Sequence, residues 1–214
     1  LQENLAIKVL KDLIKNGVTN FEVYEALGNV YRRAEKYELA SLAYTEALAV
    51  NKNSDFENNN LWMIYFFRGI TREQLRDYEK SIKDLGIALE FVPEHPQVLN
   101  YLGYMLIERK ENLDEALGMI ELAVEKSPQS GYIVDSLAWG LYQLGRYDEA
   151  IIPMEKAISL EPEDPIVNDH FGDILWKVGR KREAKFQWKK ALLFNPEKEL
   201  LLRIKDKLEL GLKD

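Results

Sequence analysis

The chain has 214 residues, no cysteine, 46% hydrophobic residues and a formal net charge of −7. The missing cysteines exclude disulfides, thiolate catalysis and cysteine-based zinc sites, and the acidic balance argues against a surface built for phosphate backbones. Only 12 glycines and 7 prolines interrupt the chain, so order is expected nearly end to end.

In chain order, LQENLAIKVLKDLIKNG comes first, with Ala6 thirty-four residues before Ala40. Residues 1–20 are therefore expected to be the second helix of a truncated repeat, and the start at Leu1, without Met or a signal pattern, is expected of a fragment. The next stretches read as repeats over 21–54, 62–95, 96–130, 131–164 and 165–198. A small residue recurs as Gly28, Gly69, Gly103, Ala138 and Gly172; a second anchor as Ala40, Ser81, Ala116, Ala150 and Ala184; a third as Ala47, Ala88, Ala123, Ala157 and Ala191. Pro93, Pro128, Pro162 and Pro196 close four units, and Lys52 stands in that place in the first. Departures fall where loops tolerate them: DFENNNL at 55–61 is an insertion, and RKENLDEA carries one extra residue in the turn of the third unit. The longest apolar run, LWMIYFF at 61–67, ends at Arg68, well short of the roughly eighteen apolar residues a membrane span needs.

Each unit reads as a helical hairpin. Apolar residues recur three and four apart, as in Val134, Leu137, Ala138 and Leu141, then Ala150, Met154, Ala157 and Ile158. Gly145 and Gly179 mark the break between helices, and Asp164 before Pro165 marks a helix start. Pro153 lies inside a predicted helix, where a bend is expected. The last segment, ELLLRIKDKLELGLKD, reads as an amphipathic end-cap over 199–214.

This spacing resembles the tetratricopeptide repeat (TPR) family, carried by Phe171-Gly172, Ala184, Trp188, Ala191 and Pro196 in the fifth unit and by Tyr24, Leu27-Gly28, Tyr31, Ala40, Tyr44 and Ala47 in the first. The resemblance implies an all-α fold, a right-handed superhelical solenoid of helix-turn-helix repeats with a C-terminal capping helix, one array over 1–214. A narrower likeness, to the C-terminal part of long bacterial TPR proteins, implies an adaptor of the kind that brings envelope enzymes or proteases to their substrates. It favours the bacterial periplasm or an outer-membrane-anchored form over the cytoplasm.

In such arrays the first helices line a concave groove. The resemblance places Asn29, Phe66, Ile70, Asn100, Tyr104, Asp135, Trp139, Tyr142, Asp169, Asp173 and Trp176 on that wall. The fourth and fifth units share a skeleton yet exchange Ser136, Trp139 and Tyr142 for His170, Asp173 and Trp176, as residues facing a groove would. The expected function is a protein-interaction scaffold, taking a peptide or protein segment by stacking on Trp139, Tyr142 and Trp176 while Asp135, Asp169 and Asp173 meet basic groups. The family's carboxylate clamp is not reproduced, because Glu25 stands where the clamp needs Lys.

Neither a cofactor nor a metal is expected: His170 is offset from Asp169 and Asp173 around the helix, so three ligands do not converge. The stripe Lys181, Lys185 and Lys189 follows helical spacing on a second helix and reads as a solvated face, with contact to anionic lipid or to another protein's acidic face as the alternative. No nucleophile elbow, phosphate loop or Cys-His set is present, so no enzyme is expected. The alternatives are a helical-repeat RNA binder, opposed by the acidic balance, and a self-associating array, in which the truncated first repeat pairs with a second copy.

Overall fold

The computed structural model describes residues 2–52 and 60–212. Most of the insertion expected at 55–61 lies outside the described residues. Among those described, the chain forms twelve α-helices and no strand. They divide into two compact units, Leu1–Pro93 and Glu94–Asp214.

The first unit holds α1 (Gln2–Lys15), α2 (Phe21–Arg33), α3 (Tyr37–Lys52), α4 (Leu61–Gln74) and α5 (Tyr78–Phe91). Ile7, Leu10 and Ile14 of α1 pack on a core of Phe21, Leu27, Tyr31, Ala40, Tyr44, Ala47 and Ile64. Leu5, Val9 and Leu13 of the same helix are exposed. In α4 and α5 a buried ionic cluster stands beside the buried apolar Leu85 and Ala88. Arg68 grips Asp84 with two donors at 2.7 and 2.8 Å, and Arg72 adds a third at 2.7 Å.

The second unit holds α6 (Pro96–Glu108), α7 (Leu113–Lys126), α8 (Gly131–Gln143), α9 (Tyr147–Leu160), α10 (Pro165–Lys177), α11 (Lys181–Leu193) and α12 (Lys198–Leu210). One core runs from Leu117 and Val134 through Met154, Phe171, Ile174 and Trp188 to Leu200 and Ile204 of α12. Asp164 accepts from the backbone N–H of Ile166 and Val167 at 2.8 and 2.9 Å, which fixes the start of α10. Helix α9 runs through Pro153 without a break. The donor that Pro153 lacks would have reached the carbonyl of Glu149, a residue at the exposed surface where water can take its place.

The five turns within helix pairs share one construction, which also ends α1 at Gly17. The backbone N–H groups of Lys36, Asp77, Glu111, Arg146 and Arg180 each reach back five residues to Tyr31, Arg72, Leu106, Leu141 and Leu175, at 2.9 to 3.0 Å. The residue before each donor is left-handed: Glu35, Arg76, Lys110, Gly145 and Gly179. That pairing is the Schellman ending of a helix. In four turns the donor residue also serves as the N-cap of the next helix, since Ala40, Ser81, Ala150 and Ala184 bond back to its carbonyl. In the third, the extra residue shifts this duty to Asn112, itself left-handed with φ 46°.

The small anchors mark close crossings. A Cβ on Gly103 would stand 2.8 Å from the Ala116 carbonyl oxygen, and one on Gly28 would stand 2.6 Å from the Tyr44 ring. At Gly172 the Trp188 indole fills the same space.

Candidate binding surface

The expected wall residues of the first unit are engaged with their own neighbours. Asn29 accepts from the Tyr44 hydroxyl at 2.8 Å, and Arg32 donates to that hydroxyl at 3.3 Å. Phe66 is buried, its ring 5.5 Å from Phe67 and 6.5 Å from Trp62, while Ile70 is half-buried.

In the second unit the three aspartates expected to meet a partner's basic groups meet bases of this chain instead. Both Asp135 oxygens lie 3.0 Å from His170 Nδ1. Asp169 accepts from Lys207 Nζ at 2.8 and 2.9 Å and from Arg203 at 3.2 Å, and Lys207 also reaches Asp173 at 2.7 Å. All three carboxylates are at most 6% exposed. A buried charge left unpaired would cost several kcal/mol, so the expectation of free acidic groups here is corrected: His170 of α10 meets Asp135, and α12 supplies Arg203 and Lys207 to Asp169 and Asp173. Asp173 takes a second duty as acceptor of the Trp188 N–H at 2.9 Å.

The aromatic residues are likewise built into the wall. Trp139 is stacked with Tyr142 at 4.7 Å and with His170 at 4.0 Å, and its indole N–H donates to Glu108 at 2.5 Å. Tyr142 also tilts against Tyr147 at 5.2 Å. Trp176 lies against Trp188 at 5.3 Å, with Lys181 over its ring at 4.9 Å, and a Cβ on Gly211 would stand 2.5 Å from its edge. Asn100 is buried and its side-chain oxygen has no hydrogen-bond partner among the described residues, whereas Tyr104 is half-buried at an opening.

Three protonation states respond to this packing. Burial disfavours the charged imidazole of His170, but Asp135, reinforced by Asp169 and Asp173, outweighs it and raises the pKa above the usual histidine value. Burial pushes the Asp173 carboxyl up, against the pull of Lys207. Burial, then Asp173, raises the Tyr142 phenol.

The opening at Tyr104 is a cavity of about 470 Å³ between the first helices and α12. Tyr104, Trp139, Pro165, Ile166 and Leu200 give it apolar surface, and the exposed carboxylates of Glu108, Glu197 and Glu199 stand around it with Arg203. Two features were missed by sequence reading. His170 turns into the wall rather than away from it, and Lys207, thirty-eight residues from Asp169, neutralises it. The signal for His170 was the neighbouring repeat: Asp135 stands thirty-five residues earlier, one repeat away. Among the described residues no group of three or more metal-ligating side chains converges.

Helix pairs of this length, joined by the same turn and packed on small residues at one period, already define a helical repeat. Three models of the tetratricopeptide repeat match residues 23–56, 68–131 and 136–164, together more than half of the chain. The chain belongs to the tetratricopeptide repeat family. A TPR repeat-containing protein of Pseudomonas aeruginosa is 30% identical over 83 residues, which make up 39% of this chain and 14% of that protein. The chain thus spans a small part of that relative.

Among solved TPR structures, the C-terminal part of a TPR repeat-containing protein from Cytophaga hutchinsonii aligns with a TM-score of 0.70 at 14% identity, over 98% of this chain and 83% of that one. MamA of AMB-1 gives 0.63 at 22% identity, over 80% and 97%. YrrB, described as a TPR protein with an unusual peptide-binding site, gives 0.64 at 18% identity, over 92% and 97%. At these identities the likeness extends to the TPR fold alone. Among the described residues, no helix is long and apolar enough to cross a membrane.

Proposed function

We propose that this chain is a protein-interaction scaffold that takes a peptide segment of a partner into the cavity of the unit Glu94–Asp214. The observation that carries this reading is the combination of apolar surface from Tyr104, Pro165 and Ile166 with the exposed carboxylates Glu108, Glu197 and Glu199 in one opening. Such a surface suits a segment in which an apolar side chain precedes or follows a lysine or arginine, because the long basic side chain packs its stem while its head meets the carboxylates. Trp139 and Tyr104 are contact residues in this reading. Asp135, Tyr142, Asp169, Asp173 and Trp176 hold the wall, and Asn29, Phe66 and Ile70 play that part in the first unit. The peptide-binding site described for YrrB supports the general mode, and the resemblance to bacterial adaptors suggests an envelope enzyme or protease as the partner.

Peptide display tests the reading. Sequences selected on this chain are expected to pair basic with apolar residues and to lose binding to the variant Glu108→Lys/Glu199→Lys. Selection of acidic peptides, or equal capture by the variant, would overturn it.

A further inference from the structure

Helix α11 carries a surface that packing does not explain. Its inward stripe is Ala184, Trp188 and Ala191, each fully buried. Its outward crest holds Arg182, Phe186, Lys189 and Leu193, which lie within about 60° of one another at 3.6 residues per turn. Phe186 is 64% and Leu193 75% exposed, large apolar side chains left in water among cations. Lys185, also exposed, flanks the crest. Glu183, the one acid of this helix, is held by Arg180 at 2.5 Å, so it does not cancel the crest.

Solvation accounts for the lysines but not for the apolar pair. An exposed apolar patch rimmed by charge marks a contact surface. Three kinds of surface repay cations: a phosphate backbone, an acidic protein face and an anionic bilayer. A nucleic-acid backbone would leave Phe186 and Leu193 in water, whereas the boundary between lipid headgroups and acyl chains takes protruding apolar side chains while lysines extend to the phosphates. The chain's overall charge of −7 opposes approach to an anionic surface, so contact must be local to this helix.

We propose that the outward face of α11 docks on an anionic lipid surface, with Phe186 and Leu193 entering the headgroup boundary and Arg182, Lys185 and Lys189 meeting lipid phosphates. This surface is separate from the cavity and does not depend on the peptide reading. Each basic side chain near such a surface multiplies partitioning roughly five-fold.

Sedimentation with vesicles tests the proposal on the full chain. The chain should sediment with vesicles of phosphatidylcholine and phosphatidylglycerol in equal parts, not with phosphatidylcholine alone. Phe186→Ser/Leu193→Ser should weaken this by about tenfold or more while melting as the parent does, since both side chains are exposed. Arg182→Glu/Lys185→Glu/Lys189→Glu should abolish it. Failure to sediment with the anionic vesicles would overturn the proposal. So would a Phe186→Ser/Leu193→Ser variant that sediments as well as the parent, because charge alone, as an acidic protein would also read it, would then explain the attraction.

Discussion

Trp188 dictates what stands at two positions of the helix opposite. Its indole occupies the space a Cβ at residue 172 would need, and its N–H requires an acceptor, which Asp173 supplies. The first repeat repeats the logic with Gly28, Asn29 and the Tyr44 hydroxyl. In the fourth, Met154 brings no donor, and Ala138 and Trp139 stand in those places. The exchange of Trp139 for Asp173 is therefore a packing rule as much as a groove feature. His170 gives this scale a pH test. Its pKa is raised in the folded chain, so its stabilisation is full below the unfolded value of about 6.5 and is lost as pH rises through the folded value. Thermal melting followed across neutral pH should show stability falling as pH rises, and the fall should shrink in His170→Gln; an unchanged slope in that variant would remove His170 as the cause. Sequence periodicity placed Asp135, Asp169 and Asp173 on the wall and set His170 off it, and it could not find their partners. Asp135 finds His170, and Asp169 finds Lys207, across a full repeat of intervening chain.

The turns were legible where glycine marks them and not elsewhere. Gly145 and Gly179 signal the left-handed position, whereas Glu35, Arg76 and Lys110 hold the same conformation without the residue that favours it. A side chain there costs roughly 1 kcal/mol, so Glu35→Gly and Arg76→Gly are expected to stabilise the first unit by up to about 1 kcal/mol in denaturant unfolding. A loss of stability in either would contradict the Schellman assignment. Helix α12 was legible as an amphipathic end-cap; its polar contribution was not, since a lysine on such a helix reads as solvent-facing. Lys207 is instead 7% exposed between two carboxylates. Lys207→Met should cost about 3–5 kcal/mol by leaving that charge uncompensated. Adding Asp169→Asn and Asp173→Asn should recover much of it, and a Lys207→Met variant as stable as the parent would refute the pairing.

For the whole molecule, repetition carried the fold. Five small anchors, five equivalent turns and one recurring period state an all-α helical-repeat architecture without any long-range pairing having to be guessed. The proposed binding surface was less legible because Tyr142, Trp176 and the three aspartates that mark a groove in sequence are consumed in building its wall, leaving Tyr104 and Trp139 at the opening with Ile166, Glu108, Glu197 and Glu199. Alanine variants of Trp139, Tyr142 or Trp176 would disturb that wall, so exposed cavity residues make the cleaner probe. The most direct measurement is paired capture from bacterial envelope and cytosolic fractions on the parent chain and on Ile166→Lys/Glu199→Lys, both side chains exposed, with melting temperatures matched. The account predicts a partner from the envelope fraction that binds the parent and is lost from the variant. The same partner retained at equal yield by both would contradict the assignment of recognition to this cavity.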